Sequence, residues 1–371
     1  MPKLLLLCEF ATLNGGEQSM LSTLAGVRAA GFAPFVACPA EGPLAETLRE
    51  QGVEIVPFCC FDGVGTRRPL AELREELAKL IELLRPNLFH ANSLSMGRLS
   101  GPVVAELGMP SITHLRDIIR LAPQAIKDLN RHRRVLAVSA ATRRYHAAQG
   151  LDVEKTHVLY NGADLERFCP RTPTGFLHGE LRLSPAARLI ATIGQLGLRK
   201  GQEVLVQAAE RIAERHPDVH FLLVGERCSS KDESLTFEAA LHAAASGPLA
   251  GRLHFLGFRP QVELLLSELT LLVHPARQEP LGRVLLEAAA AGLAVIATNV
   301  GGTAEIFPPE SEAAVLVPPN DSAAIAAAMD ELLQNDEKRR QLGTAARRRM
   351  EEAFDVRLAV RNLVEHYREV L

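Results

Sequence analysis

Glu279 and Glu287 bracket the run Glu-Pro-Leu-Gly-Arg-Val-Leu-Leu-Glu, and their type and spacing are suited to holding a hydroxyl-rich ligand. Residues 275–300 read as a loop, an apolar helix, Gly292 and a β-branched strand over 294–297. Glu287 interrupts residues 284–291, which otherwise read as packed helix. A half-buried carboxylate there is unfavourable unless something donates to it. Two vicinal hydroxyls of a ribose would do so, because an ionised carboxylate has room for two donors. Glu279 precedes the helix, where backbone N–H groups are free and the dipole favours anions. One segment would then hold a sugar hydroxyl, a phosphate and a ribose. Taken alone, the pair is better explained as a surface Glu before a helix and a second Glu satisfied by a neighbouring Arg.

The flanking residues change that balance. Glu287 is followed by four alanines and Gly292, an Ala-Val-Ile-Ala-Thr strand, Val300-Gly301-Gly302 and Glu305. Gly15-Gly16 stands in the first loop, Val138-Ser139 leads on to Asn161-Gly162-Ala163-Asp164 and Phe168, and Gly194 to Lys200-Gly201 opens the second half. Over nearly the whole chain this set resembles the signature of the family-4 retaining glycosyltransferases (glycosyltransferase group 1). The resemblance implies an α/β GT-B fold: two Rossmann-like domains facing across a cleft, with a C-terminal helix crossing back to the first. It also implies an enzyme of the hexosyltransferase type (EC 2.4). Such an enzyme moves a sugar, with retention, from a nucleotide-diphosphate sugar to a sugar or lipid-linked acceptor hydroxyl in cell-surface glycan or glycolipid synthesis.

In that family an Arg directly after the strand-ending Gly and a Lys before the second Gly grip the donor diphosphate. The Lys is present as Lys200, but Gln195 occupies the Arg position, leaving the pocket one cation short; Arg199 or Arg283 is the candidate replacement. Independently of the family, Lys200 places a cation at a helix N-terminus, against the dipole, and so points to an anion between them. The expected donor-binding set is Gly15, Gly16, Arg199, Lys200, Glu279, Leu281, Gly282, Arg283 and Glu287. Lys200, Glu279 and His114 are expected to be catalytic. The glycines allow close backbone approach to phosphate, whereas Pro280 has no N–H to offer. No Asp-x-Asp occurs. Metals that neutralise a leaving diphosphate prefer such hard oxygen ligands, so the expectation is a metal-independent enzyme with no cofactor.

The family often carries a His-Asp pair on the strand that follows a Pro. Counted from Pro110, that His position holds Arg116, followed by Asp117, and His114 lies two residues earlier on the same strand face. His114 and Arg116 are therefore read as a site on the donor β-phosphate or the acceptor. His90, Arg116 and Asp117 are the acceptor-side candidates. From Arg116 to Arg144 the basic residues are opposed only by Asp117 and Asp128. This is either a surface for anionic lipid or a solvated basic helix face.

The elements that must position these residues alternate along the chain. Strands are expected over 4–8, 34–38, 54–58, 88–90, 111–114, 135–138 and 157–160, with helices over 17–30, 44–51, 71–84, 97–107 and 140–149. The second half repeats this, with strands over 189–193, 219–224, 253–256, 271–274, 294–297 and 315–317, and helices over 201–215, 237–245, 281–291 and 323–333. Such alternation argues for parallel sheets covered on both faces, with ligands at the carboxyl ends of the strands. A length of 371 residues exceeds what one core comfortably fills. The expected domains are 1–168 together with helix 354–371, and 169–353, with 167–185 as linker.

The net charge of -3 gives no argument for nucleic acid. No apolar run approaches the ~18 residues needed to span a bilayer, and residues 3–8 read as a first strand and not a signal. Six cysteines without C-x-x-C spacing suit a reduced, cytoplasmic protein, peripheral at the inner membrane face if the basic surface meets lipid. Among rivals, a dinucleotide oxidoreductase would need a G-x-G-x-x-G in the first turn, which residues 8–16 lack. A nucleotide-sugar epimerase of the same plan would lack the E-x7-E block. A non-catalytic carbohydrate-binding relative stays open, since Gln195 and Arg116 depart from the commonest pattern.

Overall fold

The computed structural model describes all 371 residues. They form two compact units, Met1–Gly162 with Val356–Leu371, and Ala163–Asp355. The chain crosses at Gly162–Ala163, ahead of the boundary expected at 168, and returns after Asp355. The stretch 167–185 is therefore not the linker. Buried Glu268 holds it inside the second unit, accepting from the Thr174 and Gly175 amides at 2.6 and 3.1 Å and from the Thr174 hydroxyl at 3.0 Å. The stretch is a loop pinned at Thr174 and Gly175 that leads into a short helix over Phe176–Leu181.

The first unit alternates β1 (Lys3–Leu7), α1 (Gly15–Ala29), β2 (Ala33–Cys38), α2 (Pro43–Glu50), β3 (Glu54–Pro57), α3 (Leu70–Leu84), β4 (Leu88–Ala91), α4 (Leu94–Glu106), β5 (Ser111–Leu115), α5 (Pro123–Leu129), β6 (Arg134–Ala137), α6 (Ala140–Ala147) and β7 (Thr156–Val158). Its seven strands are parallel in the order β3-β2-β1-β4-β5-β6-β7. The period of two sorts each strand between two cores. Leu4, Leu6, Val36 and Ile112 pack with Met20 and Leu24 of α1 and with Leu363, Val364 and Tyr367 of the C-terminal helix Val356–Val370. Leu5, Leu7 and Phe89 pack instead with Leu73 and Leu77 of α3 and Leu99 and Val104 of α4. The last helix thus returns to the first unit, where α1 admits it closely: a Cβ at Gly26 would lie 2.6 Å from Val360 Cγ1.

The second unit runs α7 (Phe176–Leu181), β8 (Arg188–Ile193), α8 (Gln202–Ile212), β9 (Val219–Val224), α9 (Asp232–Ala244), β10 (Leu253–Gly257), α10 (Val262–Ser267), β11 (Leu271–His274), α11 (Arg283–Ala290), β12 (Val295–Thr298), α12 (Thr303–Ile306), β13 (Val315–Val317), α13 (Ser322–Gln334) and α14 (Asp336–Ala353). Its six parallel strands follow the order β10-β9-β8-β11-β12-β13. Ile190, Phe221 and Val273 meet Leu205 and Ala208 of α8 and Ile325 and Met329 of α13.

Helices α7, α10 and α12, all short, were not expected, and neither were α5 and α14. Helix α5 is short and begins at Pro123. Helix α14 is rich in charge, and its buried residues are few: Leu342, Gly343, Ala346 and Met350. Small residues there let α14 approach the end of α11, since a Cβ at Gly343 would stand 2.1 Å from the Gly292 carbonyl oxygen.

Candidate active site

In the second unit, the turn after β8 and the loop after β11 are brought together at the carboxyl ends of adjacent strands. Lys200 Nζ donates to Glu279 Oε2 at 2.6 Å, and His274, which ends β11, lies on the same oxygen through Nε2 at 2.8 Å. Glu279 is 5% exposed. Burial alone would raise its pKa. The Lys200 charge and the His274 hydrogen bond outweigh it and hold the carboxyl far below the usual range. His274 goes the other way, because burial lowers its pKa against the pull of Glu279. The arrangement is a carboxylate, a neutral imidazole donating to it and one ammonium. Glu279 Oε1 carries no hydrogen bond of its own.

Backbone close to this cluster leaves no room for side chains. A Cβ at Gly201 would stand 2.2 Å from the Pro275 carbonyl oxygen, and one at Gly301 1.9 Å from the Glu279 carbonyl oxygen. Both positions have positive φ, of 65° and 54°, which glycine alone adopts without strain. Gly302 N donates to Glu279 O at 2.9 Å, so the Gly301-Gly302 turn clasps the backbone that carries the carboxylate. The Leu281 and Gly282 amides, leading into α11, make no backbone hydrogen bond.

Arg277 laces the two loops together. It donates through Nη1 to Leu198 O and through Nε to Asn320 Oδ1, both at 2.6 Å, pairs with Glu203, and sends its amide to Arg199 O at 2.9 Å. Arg199 itself is exposed, with Nη1 reaching Gln278 O at 3.3 Å. Arg283 begins α11 and pairs with Glu287 one turn on, Nη2 to Oε1 at 2.6 Å. Gln195 is exposed, and its carbonyl accepts from Gln202 at 2.9 Å.

In the first unit Gly15 and Gly16 open α1, two residues earlier than expected, so their amides belong to the first turn, which no intrahelical carbonyl serves. His90 and His114 end neighbouring strands β4 and β5 on one face, beneath α1 and the C-terminal helix. They are 2% and 3% exposed, so both rings are buried within the first unit. Burial is the main cause that lowers His90 to about 3 and His114 well below its ordinary value, with the Arg116 charge adding to both. Both are neutral imidazoles. Arg116 forms a clamp over Gly16: Nε donates to Asn92 O, Nη2 to Asn92 Oδ1, and Nη1 to Asn161 Oδ1, each at 3.0 Å, and Nη2 lies 3.1 Å from His114 Nδ1. Asp117 is exposed, and its carbonyl lies 2.8 Å from His146 Nε2.

Residues 176–349 match the model of glycosyl transferases group 1, and residues 13–167 that of glycosyltransferase family 4. The chain belongs to this glycosyltransferase family. It is similar to spore coat protein SA of Bacillus subtilis (strain 168), 30% identical over 57% of this chain and 58% of that one. It is also similar to the lipopolysaccharide core biosynthesis mannosyltransferase LpsB of Rhizobium meliloti (strain 1021), 31% identical over 55% and 60%. The matches thus span less than two thirds of these curated relatives. Among solved structures, Anabaena HepE in complex with UDP-glucose superposes with a TM-score of 0.87 at 22% identity over 100% of both chains, and WaaG with 0.74 at 16% over 97% and 98%. These likenesses establish the GT-B glycosyltransferase fold.

Within this chain the structure joins some expected site residues and separates others. Lys200 and Glu279 form one ion pair, and Arg283 and Glu287 another. His274 and Arg277 were missed. A His ending the strand just before the E-x7-E block was a usable signal for the first. Arg277 gave none, because its partners come from segments distant in sequence.

Proposed function

We propose that this chain transfers a sugar from a nucleotide-diphosphate sugar to an acceptor hydroxyl, with the second unit holding the donor. The observation that carries the reading is the buried Lys200–Glu279–His274 cluster beside the unbonded Leu281 and Gly282 amides. Lys200 supplies the charge for a diphosphate, the amides supply neutral donors, and Glu279 Oε1 accepts from a sugar hydroxyl. Preorganised donors of this kind stabilise charge as it develops on a leaving group. The anomeric C–O bond to the diphosphate breaks, the acceptor oxygen forms the new C–O bond, and the acceptor proton passes to a phosphate oxygen. Retention follows if attack comes from the departing face; no covalent nucleophile is assigned. The names of the mannosyltransferase LpsB and of HepE with UDP-glucose support the donor class.

Metal independence belongs to the same reading, because the cation beside the phosphate site is Lys200 and no Asp-x-Asp is present. A panel of nucleotide sugars should contain one that raises the melting temperature, since only ligands favouring the native state do so. With that donor and an acceptor, product should form in excess EDTA. Loss of turnover on chelation, restored by Mg²⁺ or Mn²⁺, would replace Lys200 with a metal in this scheme.

No helix is long and apolar enough to cross a membrane. Arg120, Lys127, Arg131, Arg133 and Arg144 are exposed, as are Ile119 and Tyr145. We read this face as a peripheral contact with the anionic inner face of a membrane, in a cytoplasmic protein. At ~1 kcal/mol per basic residue near such a surface, co-sedimentation with phosphatidylserine vesicles is expected in low salt and should vanish when Arg120, Arg131 and Arg144 become Glu. Equal sedimentation of the variant would show the face to be merely solvated.

A further inference from the structure

Two buried imidazoles of the first unit end in nitrogens that the protein leaves unsatisfied. His90 Nε2 and His114 Nε2 have no hydrogen-bond partner, although buried polar atoms in native structures are overwhelmingly paired. Both rings line one small cavity, together with Ser19 and Thr23 of α1 and Tyr367 of the C-terminal helix. Its volume of about 20 Å³ admits a single water.

The partners of the opposite ring nitrogens fix both tautomers. His114 Nδ1 faces Arg116 Nη2 at 3.1 Å. A guanidinium only donates, so Nδ1 accepts and the ring proton sits on Nε2. His90 Nδ1 lies 2.7 Å from the Tyr367 hydroxyl, whose buried proton has no other acceptor. The phenol therefore donates, and His90 also carries its proton on Nε2. Two N–H donors line one chamber. Ser19 Oγ donates to Gly15 O and Thr23 Oγ1 to Met20 O, each at 2.7 Å, which leaves both hydroxyl oxygens as acceptors. A water accepting from two imidazoles and donating to two hydroxyls would be fully bonded.

We propose that this chamber binds one ordered water, and that Tyr367, His90 and the water form a positioning chain from the C-terminal helix to His114 and the Arg116 clamp. Arg116 fastens Asn92 and Asn161 at the strand ends, so the chain ties the last helix to the acceptor-side residues. Only the kinetic consequence rests on the transferase reading.

Long-range ¹⁵N correlation spectra of the histidine-labelled protein should show both rings as single Nε2–H tautomers, and a high-resolution crystal structure should show a water on both Nε2 atoms. Tyr367→Phe keeps the ring against Phe32, 5.5 Å away, and removes the hydroxyl. In that variant His90 should lose its single tautomer, and kcat/KM for transfer should fall about ten-fold, the scale of one hydrogen bond. Affinity for the nucleoside diphosphate should not change. A proton on Nδ1 of either wild-type ring, or a chamber without water, overturns the proposal. So does a Tyr367→Phe protein that melts earlier while its His90 signal is unaltered. Were the chain to transfer no sugar, the tautomer and water measurements would still decide the matter.

Discussion

Replacing Lys200 with alanine is expected to lower kcat by about 10²-fold or more, the effect of losing one charge-stabilising donor of ~3 kcal/mol. The side chain is only 15% exposed and ends 2.6 Å from the buried Glu279 carboxylate. Its removal therefore has a second effect: Glu279 keeps His274 as its sole donor, and breaking a buried pair destabilises by about 3–5 kcal/mol. The double variant Lys200→Ala/Glu279→Gln separates the two effects, because it removes the unpaired charge along with its partner. Its melting temperature should recover towards that of the unsubstituted protein while turnover stays low. Unchanged kcat in Lys200→Ala, at any melting temperature, would remove Lys200 from the mechanism.

What was legible in the sequence was whatever depends on local order. Strand and helix alternation gave both sheets, and short-range motifs located Lys200, Glu279 and the glycine turns where the structure has them at strand ends. Long-range facts were not legible. Leu358, Leu363 and Tyr367 marked a helix, and the family resemblance alone implied that it returns to the first unit. Nothing said that it would roof the face carrying His90 and His114. His114 was expected at a ligand from the family resemblance and His90 from its place at a strand end; the roof buries both rings and keeps them neutral. Arg116 was read as a site on the donor β-phosphate or the acceptor, and the sequence did not show that it also donates to Asn92 and Asn161 and faces His114. Helix α14 escaped because its core-facing residues are few and its charges dominate the pattern. The Lys200–Glu279 pair was hidden for the same reason as Arg277, since its partners lie far apart in sequence; Arg283–Glu287, one helical turn apart, was legible as a Glu satisfied by a neighbouring Arg.

Glu287→Ala should weaken binding of the bare nucleoside diphosphate, whereas Glu279→Ala should leave that affinity intact or raised and sharply reduce transfer. A carboxylate paired to hydroxyls contributes only to ligands that carry them. Glu287 stands on α11 with Arg283 on Oε1, which leaves Oε2 for ribose hydroxyls, and every nucleotide brings a ribose. Glu279 is assigned the sugar hydroxyls, which the bare diphosphate lacks. Its second task is to neutralise Lys200, so its loss frees that ammonium for phosphate; this is why diphosphate affinity is expected not to fall. Each hydrogen bond to a charged group is worth about 1.5–3 kcal/mol, or roughly ten- to a hundred-fold in affinity. Isothermal titration of both variants with the diphosphate and with the intact donor reads the four affinities directly. For Glu287→Ala both ligands should weaken alike. For Glu279→Ala the donor should lose its advantage over the diphosphate. If both variants lost equally towards both ligands, the sugar would not lie beside Glu279, and the Lys200–Glu279 pair would be a structural tie across the two loops.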